Sequence, residues 1–595
     1  MTDGEGFIVP EFLSSTSPFR RELCRNFVCA ALLALLLIAV FYPGLNYPFL
    51  RDWDDGVFIV YNRHLTFTME NFLLYGLEPY QDLYTPLPMY SFMIDRALFG
   101  VDPLGFRLHN LLLHFIGCFF LFLIARRLGA RTWLAFAAAL LWGVNPQKVE
   151  SVIWITERKD FLCGALAFAS LWFFLRGVQR RRISFMAGVL AALAIFAKPA
   201  AVPLPGVMIV GLICLWGKRF PWRDYLRILW FPVLAALGAV IWAAVITAKT
   251  NGGVPEENLL VPLHNLFWYP LTALIPFETN PIYPEIRSMA ELLLPVAGGA
   301  LLAGGFILVA RRVGFAWRKI VCMLLIVAGF TVPVLGLLHY TNFHYCDRYN
   351  YLVSAAVWIG AAVLAEAFLR RRKSAARAFK CAAGAAFAAF WLLTWNYLPY
   401  WETCEYMYSY VLARDEVPNW KVMGNSICTA FRSGNLEVIQ DVATRMRRYH
   451  DVYKIPEAVA DRTARFCLAH VAWLNQDRET ARKMYHVLWP EAETVGWREF
   501  LWPDFVFPLF FRDMAQISVL EGKPDEAVEF LDRELQVRTP DDYQYFLAEA
   551  MKAQIRKDLP GQLKAWEKIV EMQPENRVYR MIYDELVQNS GNVPK

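Results

Sequence analysis

The chain has 595 residues, of which 57% are hydrophobic and 19% charged, with 21 Trp and 44 Phe; that is too apolar for a soluble protein of this size and predicts a polytopic membrane protein. The net charge of +6 is small for this length and is organised by side of the membrane rather than gathered into one face, which argues against a nucleic-acid partner. Eleven cysteines without a CxxC pair or a Cys/His cluster argue against structural zinc.

The polar N-terminus, 1–26, ends in Arg20, Arg21 and Arg25 ahead of an apolar run. No A-x-A-like site follows, so an uncleaved signal anchor is expected there, with a cytoplasmic N-terminal segment. A hydrocarbon core takes about 20 apolar residues to cross, within a range of about 17 to 25. By that measure eleven spans are predicted, near 27–45, 108–125, 131–146, 160–176, 183–198, 199–216, 228–248, 292–310, 319–338, 352–369 and 381–399. Basic residues fall at every second junction, from Arg126/Arg127/Arg131 through Lys218/Arg219/Arg223/Arg227 to Arg370–Lys373. The positive-inside rule makes those junctions cytoplasmic. The N-terminus is then inside and the C-terminal part outside, with long exterior connections at 46–107 and 249–291 and shorter ones at 147–159 and 339–351.

From about residue 400 the composition changes, and no later run is long enough to span. RSGNLEVIQDVATRM, NQDRETARKMYHVL, EGKPDEAVEFLDREL and RKDLPGQLKAWEKIV each read as a turn followed by an amphipathic helix. The last two are offset by 35 residues, near the tetratricopeptide period of about 34. The expected architecture is therefore all-α: a transmembrane helical domain over 27–399 and an exterior α-solenoid of degenerate repeats over 400–595. A solenoid offers a concave surface for a peptide or protein, and the plainer alternative is a packed helical cap.

The chemistry-bearing residues gather on the exterior side of this topology. The first loop carries Asp52, Asp54 and Asp55 in FLRDWDDGVFIVYN. The next carries Glu150 and the cluster Thr156-Glu-Arg-Lys-Asp160; Lys198 closes a span just before Pro199; the last loop reads HYTNFHYCDRYNY, 339–351. Aromatics here are ordinary interface residues, and Arg158, Lys159 or Lys198 could simply snorkel to lipid phosphates. Carboxylates at a span end have no such reason, and ionisable groups at membrane depth point to function. Carboxylates and cations together at the outer surface suit a polyprenyl-phosphate sugar donor, whose phosphate sits at headgroup level. Transfer to a hydroxyl needs a base, for which Asp54 or Asp55 serves, and cations on the departing phosphate, for which Arg158, Lys159, Lys198 and Arg348 serve. The same aspartates could hold a divalent cation, Mg or Mn, and no other cofactor is implied.

The residues resemble the GT-C superfamily of integral-membrane glycosyltransferases, and bacterial relatives of the transmembrane-and-tetratricopeptide-repeat protein O-mannosyltransferases in particular. YTPLPMYSFMIDRALFGVDPLGFRLHNLLLH, Tyr84 to His114, is similar to that group's YRPL…LFG.NP.GFH..N..LH pattern, WITERKDFL to its GRKD segment, AKPAAVPLP to its SKE…TLP segment and CDRYNYL to its ADRYLYLP segment. Thr85, Pro199, Asn350 and Val353 depart from those patterns. The resemblance implies inverting transfer of one sugar from a polyprenyl phosphate, with a first-loop aspartate, Asp54 or Asp55, as the catalytic carboxylate. It puts phosphate contacts on Arg158, Lys198 and Arg348; Tyr84, His114, Asp347 and Tyr349 are the expected substrate contacts. The implied setting is a bacterial inner membrane, with membrane lipids around the spans and a protein Ser/Thr acceptor on the exterior face. A lipid or surface polysaccharide is the alternative acceptor, and a non-catalytic scaffold the alternative class. A transporter would place its polar groups at the bilayer midplane, whereas ALLALLLIAV and LLAGGFILVA are bare. Pairing among Cys346, Cys404, Cys428 and Cys467 is left open by the sequence.

Overall fold

The computed structural model describes residues 18–591, apart from 217–220, 250–253, 256–258, 287, 340–342, 419, 453–454, 496–500, 502–506, 539, 541–542 and 574–575. Most of the predicted N-terminal segment, the basic pair Lys218 and Arg219, and residues 340–342 of the last exterior loop lie outside the described residues. The fold is all-α; a two-residue antiparallel pairing of Val254–Pro255 with Leu338–His339 is the exception among the described residues. The chain divides into two compact units, Met1–Asp55 with Asn62–Tyr406, and Gly56–Tyr61 with Met407–Lys595.

Among the described residues of the first unit eight helices are long and apolar enough to cross a membrane: Arg20–Gly44, Pro103–Arg127, Ile155–Arg180, Trp222–Thr247, Met289–Arg312, Trp317–Val334, Asp347–Arg371 and Lys373–Trp401. The chain is a multi-pass membrane protein. The other three predicted spans are shorter apolar helices, Thr132–Gly143, Phe185–Ala197 and Pro199–Cys214. With 12 residues in the first and 13 in the second, at about 1.5 Å per residue, neither covers a hydrocarbon core of about 30 Å by itself.

Local chemistry explains the ends that matter. Asp102 caps the Pro103–Arg127 helix through the Leu104 amide at 3.0 Å, with Pro103 in the first turn, where a missing N–H costs nothing. The Phe185–Ala197 helix stops because Lys198 precedes a proline, which disfavours helical backbone; Lys198 is extended, at φ −159° and ψ 135°. Trp154 is likewise extended, so 148–180 runs as three pieces in series: Lys148–Ile153, a 3-10 turn Ile155–Glu157, and Arg158–Arg180. Those two breaks bring the charged residues of 148–160 and Lys198 to a common end. The first exterior loop contains two further helices, Met69–Leu77, capped by Thr68, and Pro86–Phe99. The second contains Leu260–Leu274. The sequence left both loops without secondary structure.

In the second unit, helices from Trp420–Ser433 to Arg577–Gly591 follow one another, and chain neighbours pack on each other. Asn435 and Asp558, the turn residues of two of the predicted repeats, cap their helices through the Val438 and Gly561 amides. Apolar faces meet in a core that includes Phe466, Tyr485 and Phe510. Inside it Asp513 accepts hydrogen bonds from His470 Nδ1, at 2.6 Å, and from the Tyr485 hydroxyl. All eleven cysteines are free thiols, including Cys346, Cys404, Cys428 and Cys467.

Candidate active site

The first-loop aspartates are held from two directions. Arg107, wholly buried, donates from Nε to the Ile153 carbonyl at 2.9 Å, from Nη2 to Pro48 at 2.7 Å and from Nη1 to Tyr47. Its fork therefore ties the start of the loop to the 148–160 segment. Seven residues after Pro48, Asp55 is fully buried and accepts from the Leu50 amide at 3.1 Å through Oδ2. Its Oδ1 accepts from the Thr156 amide and hydroxyl at 2.9 and 2.6 Å. Burial pushes the Asp55 carboxyl up, against these hydrogen bonds and the Arg107 charge. Both Asp55 oxygens are committed to holding the loop. Asp52 and Asp54 are only half-buried between these anchors. Trp53 packs on Trp154 and on Phe343, with ring centroids 5.7 and 6.1 Å apart.

Those two rings also carry Arg348: its guanidinium lies 5.2 Å from the Trp154 centroid and 5.2 Å from that of Phe343. The Asp54 stretch is therefore one aromatic layer from a buried cluster of charge. Arg348 pairs with Glu150 and reaches Glu157 at 3.6 Å; Lys159 pairs with Glu157 at 3.0 Å. Lys198 lies 2.5 Å from Asp160 and 3.3 Å from Glu157. Burial pushes the Glu150 carboxyl up, against the neighbouring Arg348. A cavity borders the cluster, with Asp160, Lys198, Arg348 and Tyr349 as polar lining and Cys163, Val334 and Leu352 as apolar lining. The Tyr349 ring sits 5.5 Å from the Lys198 ammonium and 5.2 Å from the Arg348 guanidinium.

Of the residues expected to bind phosphate, Lys159, Lys198 and Arg348 thus converge. Arg158 does not: it is wholly buried, 2.5 Å from Asp95, and donates to Asn110 Oδ1 at 2.7 Å and to the Phe106 carbonyl at 2.9 Å. Its fork staples Pro86–Phe99 and Pro103–Arg127 to the head of Arg158–Arg180. Of the residues expected to bind substrate, Tyr349 lines the cavity, whereas Tyr84 is buried between the Gly76 carbonyl and the Trp242 indole N–H, both at 2.8 Å. His114 stands behind the cavity wall, 2.9 Å from the Tyr351 hydroxyl and 2.9 Å from the Gly143 carbonyl. Asp347 faces away, accepting from Gln147 at 3.0 Å and Tyr283 at 2.9 Å.

Sequence reading missed Arg107, Asp95 and Lys148. Lys148 is buried, donates to Ser354 Oγ at 3.0 Å and lies 5.3 and 5.1 Å from the Trp142 and Tyr351 ring centroids. Burial pulls its ammonium down to about 8. The only signal for these three was a charged residue inside an otherwise apolar stretch, and their partners lie far off in the chain. Among the described residues no group of three His, Cys, Asp or Glu is gathered to hold a metal ion.

Comparison with known proteins bears on this region. Residues 84–247 match the family model described as dolichyl-phosphate-mannose-protein mannosyltransferase, and the matched stretch contains Lys148, Glu150, Glu157, Asp160 and Lys198. Protein O-mannosyl-transferase Tmtc1 of Drosophila melanogaster is 34% identical over 88 residues, which are 14% of this chain. The chain spans about a tenth of that relative's length, 10%. A crystal structure of ArnT from Cupriavidus metallidurans, bound to undecaprenyl phosphate, is 17% identical and aligns over 86% of this chain and 81% of its own, with a TM-score of 0.35. The resemblance to membrane glycosyltransferases read from the motifs is met in 84–247.

Proposed function

We propose that the chain is a membrane glycosyltransferase that moves one sugar, with inversion, from a polyprenyl-phosphate donor to an acceptor hydroxyl at the exterior membrane face. The observation that carries this reading is the buried cluster of Lys159, Lys198 and Arg348 one aromatic layer from the Asp54 loop, within and beside the stretch that matches a mannosyltransferase family. The donor phosphate lies at the cavity, where Lys198 and Arg348 take up the charge that builds on it as the glycosidic bond breaks. Asp54 is the base that removes the acceptor proton. Asp55 cannot share that task while both its oxygens fix Leu50 and Thr156, so its part is to position Asp54. A Mg or Mn ion, if the reaction uses one, is then held by Asp54 and the donor phosphate rather than by an aspartate pair.

The protein Ser/Thr acceptor rests on the family description and on the C-terminal helices, which serve as its dock in this reading. The basic loops support a cytoplasmic N-terminus, an exterior C-terminal unit and a bacterial inner membrane. The reading is tested by supplying purified protein with polyprenyl-phosphate sugars and following release of polyprenyl phosphate by mass spectrometry. Release with at least one donor supports it; a stable donor pool with every sugar tried refutes it and favours the scaffold class.

A further inference from the structure

The charged groups around the cavity are already balanced without a donor. Three buried cations, Lys159, Arg348 and, below about pH 8, Lys148, together with the part-buried Lys198, face four buried carboxylates, Glu150, Glu157, Asp160 and Asp347. The donor proposed above is a phosphodiester and carries one negative charge. Placing it against Lys198 and Arg348 leaves the cluster with one uncompensated negative charge among largely buried groups. An uncompensated buried charge costs several kcal/mol, and the usual outcome is that a group changes its protonation instead.

We propose that donor binding takes up one proton and that Asp160 is the carboxylate that receives it. This deepens, and rests on, the donor site assigned above.

The geometry selects Asp160 by elimination. Lys148, the other group able to take a proton near pH 8, does not line the cavity and is held at Ser354 Oγ against the Trp142 and Tyr351 rings. Glu157 touches three cations, Lys159, Lys198 and Arg348. Glu150 accepts from both the amide and the guanidinium of Arg348. Asp347 has no ion-pair partner among the described residues, is shielded by Gln147 and Tyr283, and does not line the cavity. Asp160 lines the cavity, shares Lys198, its ion-pair partner among the described residues, with Glu157, and otherwise meets the Ser151 hydroxyl at 3.2 Å. When the phosphate draws Lys198 toward itself, Asp160 loses most of its compensation and its neighbours Glu157 and Cys163 supply none. Arg348 on the facing turn stays with Glu150. A proton on Asp160 restores neutrality and leaves Lys198 to the phosphate.

The test is titration calorimetry of the full-length protein with farnesyl methyl phosphate, whose phosphodiester keeps one charge from pH 6 to 9, in buffers of different ionisation enthalpy. The expected result is uptake of close to one proton per probe at pH 8, with affinity falling about tenfold per pH unit above neutrality. Asp160→Asn should bind with no proton uptake and a flat pH profile. Lys148→Met, Glu157→Gln and Asp347→Asn should keep the uptake, and if any of them abolishes it while Asp160→Asn does not, the assignment to Asp160 is wrong. Binding by wild type without proton uptake overturns the inference and leaves the donor site standing. No binding at millimolar probe overturns the donor site itself, and the inference with it. The wild-type measurement decides the proton count even if a variant fails to fold.

Discussion

Asp54 and Asp55 are adjacent and chemically identical, and their surroundings separate them. Because both oxygens of Asp55 accept backbone hydrogen bonds, Asp55→Asn turns a donor toward the Leu50 or Thr156 N–H. We expect it to lose about 1 to 3 kcal/mol of stability, the cost of an unsatisfied buried polar group, read as a lowered Tm in detergent. Asp54→Asn, at a half-buried position, should lower Tm less than Asp55→Asn does. Lys148 makes a pH prediction. Its ammonium falls from 10.5 to about 8 on folding, so between those values the unfolded chain binds more protons and stability rises with pH. Below about pH 8 the buried charge costs the fold about 3 kcal/mol in full. The Tm of wild type relative to Lys148→Met should therefore rise from pH 7 toward pH 10; a constant difference would show that Lys148 does not change charge on folding. The residue types of the site were legible in the sequence, since Asp54, Asp55, Lys159, Lys198 and Arg348 stand out against an apolar background. Their division of labour was not. That Arg158 belongs to Asp95, 63 positions away, and Asp55 to Thr156 is a matter of tertiary pairing that no local pattern encodes.

At the level of elements, hydropathy located all eleven apolar helices, because burial against lipid or protein demands the same apolar runs. It overestimated how many are long enough to cross. The helices at 148–160 and the stop at Lys198 were harder to see: a six-residue helix has too few turns to show a period, and Pro199 reads first as a departure from a motif. Its physical role is to free Lys198 from the helix and aim it at Asp160. One helix–helix contact bears directly on the cavity. A Cβ on Gly164 would come within 2.2 Å of Tyr351 Cε1, so Arg158–Arg180 and Asp347–Arg371 meet there at a separation only glycine permits. Gly164→Ala must push the Tyr351 ring off its seat and away from His114. The expected cost is about 1 to 3 kcal/mol in stability, as for overpacking elsewhere, with weakened binding of the phosphodiester probe. Unchanged probe binding would detach the Tyr351 wall from the donor site.

Across the whole molecule, the positive-inside pattern gives a topology that contacts within the fold do not test. A reporter fused after Lys595 should be active only on the exterior side. Activity confined to the cytoplasm would put the Asp54 loop on the wrong face for an exported acceptor. The helical character of the C-terminal unit was legible from amphipathic repeats and their capping residues. The concave dock proposed there depends on repeat geometry and on a partner that the sequence does not name. The central claim is that Asp54 is the base of a sugar transfer, and the most direct measurement is the glycan mass on envelope proteins of a strain lacking this chain, complemented in turn by wild type and by Asp54→Asn. Wild type should restore the lost sugar mass and Asp54→Asn, present at the same level and with the same Tm, should restore less than about one hundredth of it, in keeping with loss of a general base. Full restoration by Asp54→Asn would contradict the account.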